Sequence, residues 1–189
     1  MEGASFKLEG GEGKEELSDI SLRPLVLADM DDLMVWVTDD QVAHFCRWDT
    51  YKSREDALNY IRDVAIPHPW LRAICLKNRP IGSISVTPGS GNEKCRGELS
   101  YALASEHWGQ GLATQAVKMV VSSLFHDFPD LERLEALVDS RNLRSQRVLE
   151  KVGFTREGIL RKYRIVKGSS RDLVMYSILS VDLKSLSFV

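Results

Sequence analysis

Two glycines one residue apart, Gly109 and Gly111, stand between a β-rich segment and the longest amphipathic run of the chain. Before them, Glu98 to Leu103 alternates as a strand does. After them, Ala113, Ala116, Val117, Val120 and Leu124 share one helical face, with Pro129 beyond the end. A tight turn feeding a helix start gathers consecutive N–H groups, here Gln110 to Thr114, that no carbonyl inside the helix can satisfy. The helix dipole adds partial positive charge at the same spot, so the turn suits a diphosphate. The competing reading is a plain strand-to-helix turn. A P-loop is excluded because Leu112, not Lys-Ser/Thr, follows Gly111. A dinucleotide fingerprint is disfavoured because Thr114 stands where Gly or Ala belongs, and no βαβ unit opens there.

Along the rest of the chain, Ile20 to Leu27 reads as an edge strand and Ala28 to Phe45 as a helix with Met30, Leu33, Met34 and Val37 on one face. Ser53 and Asp56 make a capping signature for a second helix, which Pro67 and Pro69 stop. Trp70 to Leu76 and Ile81 to Val86 read as a hairpin turning at Asn78-Arg79-Pro80. Leu134 to Val138 is a short strand, Asn142 to Val152 a helix ended by Gly153, and Phe154 to Val166 with Asp172 to Leu179 a last hairpin. The order is α+β with mixed strand directions.

The length of 189 residues, 43% apolar and 28% charged, predicts a single domain over 19–189 behind a flexible acidic tail at 1–18. Runs such as Met119-Val120-Val121 are far shorter than the ~18 residues that cross a bilayer, and the first sixteen residues lack a signal-peptide core. Cys46, Cys75 and Cys95 show no CxxC spacing, so no metal site or disulfide framework is expected, and the compartment is read as cytoplasmic, with the nucleus as the alternative. The net charge of −2 argues against a general nucleic-acid binder. It hides an asymmetry: residues 1–69 hold 7 basic against 15 acidic residues, and residues 141–171 hold 10 against 2. The basic stretch fits a polyanion or a solvated face; nucleic acid bound through 141–171 is a third-ranked reading.

The loop Trp108 to Ala113 resembles the diphosphate loop of the GNAT superfamily of N-acetyltransferases. Asn142-Leu143-Arg144-Ser145, continuing through Leu149-Glu150-Lys151-Val152-Gly153-Phe154, is similar to the N-x-x-S-x-x-x-L-E-K-x-G-F stretch of its RimJ/RimL-like branch, which acetylates protein N-termini. The resemblance runs from about Ile20 to Leu179. It implies a mixed, mostly antiparallel sheet of about seven strands, flanked by about four helices and splayed between the fourth and fifth strands.

It also implies acetyl-CoA as co-substrate, without a metal. The backbone of Leu103 and Ser105 would pair with the pantetheine amides, and Gln110, Gly111, Leu112, Ala113 and Thr114 would hold the diphosphate. Asn142 would meet the pantetheine arm or the strand edge, and Ser145 would lie near the sulfur. Arg144, Arg147 or Lys151 would meet the adenosine end. Many members carry a tyrosine where this chain has Leu149, so the resemblance assigns the thiolate's proton to Ser145. Glu98 is the candidate base, or else a partner of Arg96 or a neighbouring strand.

Acyl transfer needs a neutral amine, and at pH 7 an α-amine of pKa ~8 is neutral in roughly a tenth of molecules, a lysine amine in about one in 2,500. No cysteine sits in an acyl-enzyme motif, which favours direct attack in a ternary complex. The acceptor pocket is expected between the first two helices and the last hairpin. Its acidic front, Asp29 to Asp49, suits a basic protein N-terminus, a small amine or a polyamine. Trp48 and Tyr51 would line that pocket or anchor the core, whereas Tyr101 and Tyr163 are expected to pack in the sheet. The chain would work as a monomer or homodimer. The rival class is a non-catalytic coenzyme A-binding module that engages a protein partner.

Overall fold

A computed structural model describes residues 20–185; the expected tail, 1–18, lies outside them. One seven-stranded sheet runs β1 (Ile20–Arg23), β2 (Leu71–Leu76), β3 (Arg79–Pro88), β4 (Arg96–Leu103), β5 (Arg133–Asp139), then β7 (Ser169–Leu179) and, at the edge, β6 (Thr155–Val166). Among the described strands, only the β4–β5 pair is parallel. The flanking helices are α1 (Met30–Val37), the single-turn α2 (Asp40–Ala43), α3 (Arg54–Tyr60), α4 (Leu112–Asp127) and α5 (Leu143–Val152). This is the expected α+β class.

Alternation in the central strands divides the core between the two sheet faces. Leu71, Ala73 and Cys75 of β2 pack with Leu33, Trp36, Ala57 and Ile61 of the α1–α3 layer. Ile74 and Leu76 pack with Ala116, Val117 and Val120 of α4 and Leu149 of α5. Burying a side chain of this size stabilises by about 1.5–3 kcal/mol, so each layer is held by its own apolar stripe.

Several boundaries differ from the sequence reading for local reasons. The first strand stops at Arg23, not Leu27, because Pro24 follows and Arg23 turns onto the Asp29 carboxylate at 2.7 and 2.8 Å. The helix read from Ala28 to Phe45 breaks at Asp39, which is extended and accepts from the Gln41 N–H at 2.8 Å to cap α2. The β2–β3 turn lies at Lys77-Asn78, both at positive φ, so Arg79 and Pro80 already belong to β3. The last strand starts at Ser169 rather than Asp172, because a Lys167-Gly168 turn keeps the hairpin paired to its tip. The Ser53–Asp56 capping box forms as expected, and the helix continues as a π-helical turn over Ile61–Ala65.

The feature that positions the site is where β4 and β5 stop pairing. Their ladder holds only Arg96 to Arg133, Gly97 to Leu134 and Glu98 to Glu135. At this closed end Arg96 and Arg133 both donate to the buried Glu135 carboxylate, at 2.6 and 2.8 Å. Arg133 also grips Glu157 of β6, which accepts from Ser177 of β7 at 2.6 Å. Four strands are thus tied together below Glu98, and above it β4 and β5 part.

Candidate active site

The gap above Glu98 is lined by backbone. Ala104 N–H donates to Ile81 O at 2.9 Å, so alternation turns the N–H and C=O groups of Tyr101 and Leu103 away from β3 and into the gap, while the Leu99 N–H is spent on the last rung with Glu135. The Trp108 indole N–H caps Leu103 O at 2.9 Å, and Ser105 O accepts from Trp108 N–H at 3.1 Å. The chain then turns through Gly109 and Gly111, at φ of 78° and 85°, values that glycine adopts without a Cβ penalty.

Gly111 is the N-cap of α4, and the first bond back to it comes from Gln115 N–H at 3.0 Å. The N–H groups of Leu112, Ala113 and Thr114 therefore have no carbonyl within the helix. Leu112 is buried and anchors the turn, Ala113 and Thr114 are half-buried, and Gln110 and Gly111 are exposed. The Gln110 side chain folds back to Glu106 O at 3.0 Å.

Helix α5 starts at the same place, packed against α4. Asn142 caps it, accepting from Ser145 N–H at 3.1 Å, and the Arg144 guanidinium sits 5.0 Å over the Trp108 ring. The Tyr101 hydroxyl, coming from β4, lies 2.7 Å from Ser145 Oγ and 3.2 Å from Ser145 O. Burial pushes the Tyr101 phenol well above its ordinary range, so it stays protonated. Leu149 is wholly buried in the α4–α5 core. Arg147 and Lys151 are exposed on α5, with Lys151 six residues, about 9 Å, further along the axis than Ser145.

Glu98 occupies the opposite face of β4 from Tyr101, as its even number requires. It is half-buried at the last paired rung, and its nearest cation is Arg47, at 4.0 Å from the α2–α3 loop. Arg96 is not its partner: that guanidinium is taken by Glu93 and Glu135. A carboxylate on one face and a hydroxyl pair on the other meet only through the gap.

The tip of the last hairpin does meet the segment around α2. Lys167, at the tip of the last hairpin, donates to Ala43 O at 2.9 Å and lies 3.6 Å from Asp49. Tyr51 lines a cavity of about 500 Å³ with Tyr60, Asn59 and Asp56. Trp48 packs into the α1–α3 core instead, and its indole nitrogen is buried without a hydrogen-bond partner. Tyr163 is a correction: it is 53% exposed on edge strand β6, beside Arg164, because the register slips between Leu160 and Arg164. The acidic front is largely committed, Asp29 to Arg23, Asp31 to Arg54 and Asp32 to Arg79.

Burial pushes the Cys46 thiol up to about 12, which leaves it a poor nucleophile. Among the described residues there is no cluster of three or more His, Cys, Asp or Glu able to hold a metal. No described helix is long and apolar enough to cross a membrane. Arg47, Lys167 and the Tyr101–Ser145 contact were not found from sequence. Only strand alternation at Tyr101 gave a signal, and it did not specify a partner.

Residues 19–155 match the family described as the acetyltransferase (GNAT) domain. The chain belongs to the GNAT acetyltransferases. It is 30% identical over 166 residues to the uncharacterized N-acetyltransferase p20 of Bacillus licheniformis, covering 85% of this chain and 92% of that one. It is 29% identical over 168 residues to the uncharacterized N-acetyltransferase YoaA of Bacillus subtilis (strain 168), covering 86% and 94%. A crystal structure of RimL, a ribosomal-protein α-N-acetyltransferase in complex with coenzyme A, superposes with a TM-score of 0.75 at 19% identity, over 86% of this chain and 94% of that one. This last likeness is one of fold. Family membership makes this GNAT protein an acyltransferase, and the splay between its fourth and fifth strands is the one the resemblance implied.

Proposed function

We propose that this GNAT protein moves the acetyl group of acetyl-CoA to a primary amine by direct attack in a ternary complex, with the α-amine of a protein N-terminus as preferred acceptor. The observation that carries this reading is the gap between β4 and β5, which opens onto the free amides of α4. The pantetheine arm would lie along the gap-facing backbone of Tyr101 to Leu103, extended toward Ser105, like an added strand. The diphosphate would sit on the N–H groups of Gln110, Gly111, Leu112, Ala113 and Thr114. Asn142 and Arg144 would flank the arm, and Arg147 and Lys151 would meet the adenosine end.

In this arrangement the amine enters from the α1–α3 face, where Glu98 takes its proton directly or through water. An N–H of the splayed strand stabilises the oxyanion, and Ser145 protonates the departing thiolate. The committed acids on the acceptor side leave Glu98 and Asp40 to favour a cation. An α-amine fits best because it needs the least help to lose its proton. The RimJ/RimL-like motif of α5 supports the same acceptor, and a polyamine or other small amine is the second choice. The relatives named above are bacterial, which supports the cytoplasm over the nucleus.

A thiol-release assay with acetyl-CoA and a panel of peptides, polyamines and small amines tests the reading. Release with a free N-terminus, and loss of it when that terminus is blocked, is the expected result. Binding of acetyl-CoA without release from any amine would instead mark a non-catalytic module.

A further inference from the structure

We infer that Tyr101 is the positioning residue of the proton-donating step: from β4 it supplies the phenol that α5 lacks at Leu149, and it acts through Ser145 rather than on sulfur. The inference rests on the proposed role of Ser145. Three observations carry it. The Tyr101 hydroxyl lies 2.7 Å from Ser145 Oγ, the shorter of its two contacts with that residue. The contact ties β4, one wall of the gap, to the first turn of α5 on the side of Glu98 where β4 no longer pairs with β5. The family's usual tyrosine position holds a leucine sealed in the core, which offers neither donor nor room for one.

A phenol has one hydrogen to give. Donated to Ser145 O, it leaves the serine hydroxyl to point at Tyr101; donated to Ser145 Oγ, it turns the serine hydrogen outward, toward the gap. The second arrangement arms Ser145, and the two differ only by rotation of two hydroxyl hydrogens.

In the transfer, the amine nitrogen bonds the carbonyl carbon and the carbon–sulfur bond breaks with its electron pair on sulfur. Sulfur takes the Ser145 hydrogen while the Tyr101 O–H holds the charge developing on Ser145 Oγ. The serine oxygen is reprotonated by the hydrogen ion released from the amine, relayed through water. Nothing is oxidised or reduced.

The test is a double-mutant cycle on the full chain with Tyr101→Phe and Ser145→Ala, read by thiol release and by acetyl-CoA titration. Phenylalanine keeps the ring and its packing, and equal melting temperatures verify that the fold is retained. Tyr101→Phe is expected to lower kcat roughly tenfold to a hundredfold with KM for acetyl-CoA unchanged. In the Ser145→Ala background the same change is expected to cost nothing further. If Ser145→Ala is impaired but Tyr101→Phe is not, or if the two losses simply multiply, the Tyr101 inference is overturned. If Ser145→Ala retains full activity, the serine reading itself fails.

Discussion

Glu135 is 6% exposed and accepts two charge-assisted hydrogen bonds, from Arg96 of β4 at 2.6 Å and Arg133 of β5 at 2.8 Å. Bonds of this kind contribute about 1.5–3 kcal/mol each. Glutamine in its place keeps one oxygen to accept from one arginine and loses the charge. Both guanidiniums also keep an exposed second carboxylate, Glu93 and Glu157, so neither is stranded. The expected destabilisation by Glu135→Gln is therefore about 2–3 kcal/mol, below the ~3–5 kcal/mol for orphaning a buried charge. With a urea slope of about 2 kcal/mol per molar, the unfolding midpoint falls by roughly 1–1.5 M.

Glu157→Gln is the matched control. Arg133 and then Ser177 hold its carboxyl down to about 2, which read alone would promise a comparable loss. Its side chain is 40% exposed, however, and screening outweighs that depression, so less than about 1 kcal/mol is expected. Urea unfolding followed by tryptophan fluorescence measures both. A Glu135→Gln midpoint within ~0.2 M of wild type, or a larger loss from Glu157→Gln, would refute the view that the buried Glu135 carboxylate is what holds the closed end of the gap.

The same carboxylate gives a pH signature. Because the folded Glu157 carboxyl is held to about 2, its stabilisation is present above its unfolded value, near 4.5, and is lost as pH falls toward 2; the Glu157→Gln variant should show a shallower acid limb in melting temperature between those values. Gly111→Ala places a Cβ at φ 85° and tilts the first amides of α4, so acetyl-CoA affinity should fall about tenfold. Gly91→Ala at φ 57°, which meets no atom within 4 Å, carries similar backbone strain and should leave affinity unchanged by calorimetry. Glu98→Gln should lower kcat roughly a hundredfold with acetyl-CoA binding intact; a pure loss of cofactor affinity would assign the residue a structural role instead.

Local chemistry was readable where one segment decides the outcome. The Ser53–Asp56 box and the Gly153 stop both appear at the residues that signal them. The break at Asp39 was hidden because apolar spacing continues past it, while the deciding event is one side chain capping Gln41 N–H. The splay was implied only through family resemblance, since its closed end depends on an ion pair between residues 39 apart in sequence. Tyr101 and Arg47 were illegible for the same reason: alternation gives a face, but not what waits across it. Tyr163 was misplaced because an edge strand with a slipped register has a second face open to water.

Hydrogen exchange of the full chain with and without acetyl-CoA tests the central claim most directly. Binding between the parted strands should slow exchange in residues 99–105, 110–114 and 142–146 together, while β1 and β6 stay unchanged. Saturating acetyl-CoA that leaves those three segments at their free rates, or protects a different surface, would contradict the account.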